Sequence, residues 1–126
     1  MSNSDDDVLR FIAASLPSVW ALEVLLLLKR EGVACDRAAL VASLRASDVV
    51  VSKALDALVA AGVASIEGSN ARYVAANRDL AECVDQVERL YRTRPNAVRR
   101  VIVAAGRGAA ATAFADAFKL RRGPND

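Results

Sequence analysis

Residues 19–28, Val-Trp-Ala-Leu-Glu-Val-Leu-Leu-Leu-Leu, are the most apolar run of the chain and constrain its fold more than any other stretch. The run is too short for a bilayer, which needs about 20 apolar residues, and Glu23 interrupts it. It reads as a core helix over residues 17–31, ended by Lys29-Arg30-Glu31 and a C-cap at Gly32. Because the helix is apolar on almost every side, neighbours must cover it on several faces, so the rest of the chain is expected to pack around it as a hub. Trp20 is read as plain packing among the leucines rather than as the wall of a ligand pocket. With 126 residues, 54% of them hydrophobic, the chain can supply that cover as a single domain over residues 1–126.

Residues 44–63 form a second organising stretch. Ser47 suits an N-cap, Gly62 suits the left-handed turn that ends a helix, and Val51, Leu55 and Leu58 fall at i, i+4 and i+7. That stripe faces a core, which leaves Asp48, Val49, Ser52, Lys53 and Asp56 on the outside of a helix over residues 48–61. Upstream, Asp36 can cap a shorter helix over residues 37–45, whose Leu40, Val41 and Leu44 face inward. The break at Arg45-Ala46-Ser47 makes the pair a helix-turn-helix. Downstream, Val63-Ala-Ser-Ile is strand-like, Glu67-Gly-Ser-Asn has turn chemistry, and Ala71-Arg-Tyr-Val reads as a returning strand.

Over residues 22–74 this arrangement resembles the winged helix-turn-helix of MarR-like regulators. The likeness rests on Val51-Ser52-Lys53, Leu55, Leu58 and Gly62-Val63 followed by the hairpin. The resemblance implies a mainly α fold: a winged helix-turn-helix core over residues 18–76, a two-stranded β-hairpin wing over 63–75, and extra N- and C-terminal helices. It also implies a transcriptional regulator that binds double-stranded DNA and acts as a homodimer. The helix over residues 48–61 would then enter a major groove. Ser47, Val49, Ser52, Lys53 and Asp56 are its candidate contacts, with Ser69, Asn70 and Arg72 touching the adjacent backbone or minor groove.

The flanking segments read as further helices. Ser4 precedes Asp5-Asp6-Asp7, a capping hydroxyl before three carboxylates in a first turn, where the helix dipole favours them. Asn77 caps a helix over residues 78–93 whose Leu80, Val84, Val87 and Tyr91 are spaced by four, three and four. That seam is either core-facing or a homodimer contact, because MarR-like proteins dimerise through helices outside the winged part. Pro95 suits the first turn of another helix, with Val98, Val101, Ile102 and Ala105 on one side, closed by Gly106. A last segment over residues 109–121 carries Phe114, Ala117 and Phe118 on one face, so Phe114 and Phe118 join the candidate dimer contacts of the C-terminal region, residues 77–122. The ending is similar to that of a group of small bacterial winged-helix proteins, which implies no activity.

Charge is unevenly placed. The chain holds 17 basic and 15 acidic residues; from Arg89 onward nine are basic and two acidic, leaving eight basic and thirteen acidic before it. The helix-turn-helix therefore lies in the acidic part, which opposes phosphate binding unless the basic C-terminal part also faces the duplex. That balance keeps open a reading of a different class, a winged-helix protein-interaction module whose Asp48 and Asp56 meet a basic partner. Cys35 and Cys83 stand far apart in a chain without histidine, so they offer neither zinc-ligand spacing nor a Cys-His nucleophile and read as buried reduced thiols. No phosphate loop, dinucleotide fingerprint, HExxH or GxSxG is present. The expectation is a protein without catalytic activity, cofactor or metal. It has no signal-like start and no membrane partner, and its expected place is the cytoplasm.

Overall fold

The computed structural model describes residues 4–105. Ser4 starts the first helix by accepting a hydrogen bond from the Asp7 amide at 3.2 Å, and α1 runs Asp5–Ser15 with its three aspartates in the first turn. Val8 and Ile12 are its buried residues. The break at Pro17 turns the chain through 110°. The hydroxyl of Ser18 then caps α2, Val19–Glu31, two residues later than the start expected at Pro17. Gly32 closes α2 at φ 70°, a backbone region a side chain reaches only with strain, and its N–H reaches Leu28 O at 3.1 Å.

Asp36 caps α3, Arg37–Leu44, and Arg45 ends it at φ 52°. Three residues separate it from α4, Asp48–Ala60, which Ser47 caps through the Val50 amide at 3.1 Å. Gly62 at φ 80° turns the chain out of α4. The hairpin follows, β2 at Ala64–Glu67 and β3 at Asn70–Tyr73. Gly68 carries the hairpin's positive φ at the first of the two turn residues, as a primed turn with glycine first requires.

The expected two-stranded wing is in fact a three-stranded antiparallel sheet. A two-residue strand, β1 at Cys35–Asp36, pairs Cys35 with Ala71 and Asp36 with Asn70, giving the order β1-β3-β2. Two residues carry no alternation pattern, so nothing local marks them as a strand; β1 exists because β3 is beside it. The register Ser65↔Arg72 and Ile66↔Ala71 sets Ala71 against the helices and Arg72 on the other face.

Asn77 caps α5, Arg78–Thr93, through the Leu80 amide at 2.8 Å. The chain is helical again from residue 95 to residue 105, here α6. α2 packs chiefly on α4, and α1 on α5. One cluster of buried side chains extends from Val8 to Ile102, with Leu22, Val24, Leu25 and Leu28 of α2 fully buried within it. Trp20 is the exception to the hub. It is 40% exposed, the least covered of the apolar side chains of α2. The fold is thus mainly helical with one small sheet, and among the described residues no single helix is long and apolar enough to cross a membrane.

Candidate nucleic-acid interface

The inward face of α4 is Val51, Ala54, Leu55 and Leu58, all buried, and this burial orients the rest of the helix. β-branched Val49, Val50 and Val51 are mediocre helix formers, so packing on α2 and the Ser47 cap must hold the first turn in place. Outward stand Asp48, Lys53 and Asp56, all exposed, and Val49, which is 61% exposed.

Ser52 lies between the two faces and is already engaged. Arg37, the first residue of α3, donates from its Nη1 to Ser52 Oγ at 2.8 Å. The hairpin tip is tied to the same place by two bonds. Ser69 Oγ donates to Asp36 Oδ1 at 2.9 Å, and the Arg37 N–H donates to Ser69 O at 3.0 Å. The other oxygen of Asp36, Oδ2, accepts from the Ala38 amide at 3.2 Å, so one carboxylate both caps α3 and holds the tip. A cleft of ≈ 220 Å³ remains between α4 and the hairpin, lined by Arg37, Ser52, Asp56 and Ser69 with Leu55 and Ile66 among its apolar walls.

Of the expected contacts, Ser47, Val49, Ser52, Lys53 and Asp56 share α4 and its cap, and Ser69 reaches them from the hairpin tip, whereas Asn70 shares the opposite face of the sheet with Arg72. Arg72 is exposed but belongs to the sheet face turned away from α4. There it lines a shallow ≈ 90 Å³ depression with Ala34, Ser65, Glu67 and Asn70. Arg37 was missed by the sequence reading. Only its place directly after the capping Asp36 could have drawn attention to it, since the partner is fifteen residues away. Over residues 36–73 the charges balance, Arg37, Arg45, Lys53 and Arg72 against Asp36, Asp48, Asp56 and Glu67.

The α5 seam is filled from within the chain. Val84 and Val87 are 0% exposed in the shared core, and Leu80 is half-buried against it. Tyr91 donates its hydroxyl hydrogen to Glu23 Oε2 at 2.6 Å and accepts from Arg99 Nη2 at 3.0 Å. Burial, then the bond to Glu23, pushes the Tyr91 phenol up from its ordinary value. Nearby, Lys29 Nζ lies 2.9 Å from Glu88 and 3.1 Å from Asp85, and the bond to Glu88 is the main reason its pKa rises. The buried side of this stripe therefore offers no surface to a second copy. Phe114 and Phe118, the other expected dimer contacts, lie outside the described residues.

Among the described residues no group of three metal-ligating side chains converges. Of the two thiols expected to be buried, Cys83 is, while Cys35 is only partly so because it sits on the short edge strand β1. Its partial burial, with Glu31 nearby, still raises its pKa, the opposite of what a reactive thiolate needs. No family model, curated protein or solved structure matches the chain.

Proposed function

We propose that the chain is a winged helix-turn-helix protein that binds double-stranded DNA as a transcriptional regulator, with α4 as the recognition helix and the β2–β3 hairpin as the wing. One observation carries this reading. α4 buries one face completely and leaves the other open, while a hairpin bonded to the start of α3 stands beside that open face. A helix held rigidly by caps and core, next to a fixed projection, suits docking in a major groove with a flanking backbone contact. Lys53 is the exposed cation on α4. Val49 offers an apolar contact of the kind a thymine methyl accepts.

The balanced charge over residues 36–73 supports a second reading, a winged-helix module that binds a protein through Asp48 and Asp56. The two readings differ in sign at Asp56. A DNA titration at two salt concentrations with wild type, Lys53→Ala and Asp56→Asn tests them together. If DNA is bound, Lys53→Ala weakens binding about eightfold near 0.1 M salt, the release of one phosphate contact, and Asp56→Asn strengthens it by removing repulsion. Wild-type protein that leaves random duplex unbound at low salt overturns the DNA reading in favour of the protein-interaction module.

A further inference from the structure

Among the described residues Arg37 is a cation without a counter-charge. Its one side-chain bond goes to the neutral hydroxyl of Ser52, which uses a single donor of a guanidinium that has five. The ion pairs of the described residues join Arg10 to Asp7, Lys29 to Asp85 and Glu88, and Arg94 to Asp5, and none takes Arg37. Two carboxylates are close in the fold. Asp36 is occupied by Ser69 and by the Ala38 amide, and Asp56, one turn beyond Ser52, lines the same cleft without pairing with Arg37. Arg37 is half-buried and lines the cleft between α4 and the hairpin, where buried Leu55 and Ala71 are part of the wall. A partly desolvated positive charge attracts an anion more strongly than an exposed lysine does. Ser52, which accepts from Arg37, keeps its own hydrogen to donate.

We propose that this cleft seats one phosphate of the DNA backbone, with Arg37 as its cation and Ser52 as a second donor. The inference rests on the DNA-binding reading and adds to it a residue that fixes how α4 lies in the groove. A guanidinium meets a phosphate through paired N–H donors, which sets orientation as well as strength. Phosphate contacts carry no sequence information, so the contribution of Arg37 is the same on every sequence. The carboxylate of Asp56 at the cleft opposes the phosphate and limits the affinity.

The test is a fluorescence-anisotropy titration of a short random-sequence duplex across a salt series, using the full chain as wild type, Arg37→Gln, Arg37→Lys, Ser52→Ala and Lys53→Ala. Glutamine can still donate to Ser52 but carries no charge. Arg37→Gln is expected to bind about eightfold more weakly near 0.1 M salt, with the salt slope reduced by about 0.9. Arg37→Lys should keep the slope while losing part of the affinity, and Ser52→Ala should weaken binding with the slope unchanged. Thermal melts of each variant check that the fold is retained, and the Lys and Ser52 variants keep the test valid if glutamine loosens α3. If Arg37→Gln binds with wild-type affinity and slope while Lys53→Ala is impaired, the phosphate seat is refuted and the DNA reading stands. If wild type fails to bind the duplex at low salt, both fall.

Discussion

Replacing Tyr91 with phenylalanine removes one oxygen from a chain of contacts that joins α2, α5 and α6. The hydroxyl donates to Glu23 Oε2 at 2.6 Å and accepts from Arg99 Nη2 at 3.0 Å, while the Arg99 guanidinium lies 5.4 Å from the ring centroid. Phenylalanine keeps the ring, so the cation–π contact, about 0.5–1 kcal/mol at such a site, survives. What is lost is a hydrogen bond to a charged acceptor, about 1.5–3 kcal/mol net, and partial exposure places Tyr91 at the lower end. A loss of about 1.5 kcal/mol in a domain of this size lowers Tm by roughly 4–8 °C. Far-UV circular dichroism melts of wild type, Tyr91→Phe, Glu23→Gln and the double variant measure it, with an expected coupling of about 1 kcal/mol between the two residues. The reasoning is refuted if Tyr91→Phe melts within about 2 °C of wild type, a shift too small for the bond described.

Two further predictions concern pH and backbone. Lys29 is raised chiefly by its bond to Glu88, and Tyr91 and Tyr73 chiefly by burial, so in all three the fold favours the protonated form. Their stabilisation is complete below the unfolded pKa values of about 10 and is lost as pH rises through the higher folded ones. With the raised Cys35 thiol losing its share first, a urea midpoint that is flat to about pH 8 and then falls is expected, with a shallower fall in Tyr91→Phe; a midpoint unchanged to about pH 11 contradicts it. Gly32 and Gly62 both have positive φ, but a Cβ at Gly32 meets nothing within 4 Å, whereas at Gly62 it lies 3.3 Å from Ala76 and from Leu80. Gly32→Ala should cost about 1 kcal/mol of strain and Gly62→Ala about 2, and equal costs by chemical denaturation would show that α5 gives way freely.

The sequence alone determined the order of the helices and most of their caps, although it started α2 two residues early and overlooked its cap, Ser18. Ser4, Asp36, Ser47 and Asn77 each cap the helix they precede, and Gly32 and Gly62 take the left-handed turns that follow α2 and α4. These signals are legible because a capping side chain reaches an amide two or three residues away, so the whole interaction lies within one short stretch. The inward stripe of α4 was legible too, since helical periodicity states which residues share a face. It does not state what covers that face. Val84 and Val87 made as good a dimer seam as a core seam on spacing, and only the packed helices show them filled from within the chain. Tertiary structure alone also decided β1, whose Cys35 finds Ala71, and the bonds from Arg37 to Ser52 and from Tyr91 to Glu23, the last spanning 68 residues. Each joins groups with no local preference for one another. They meet only after apolar burial on α2 has set the helices in place, because the free energy that orders them comes from the core and not from the polar contacts themselves.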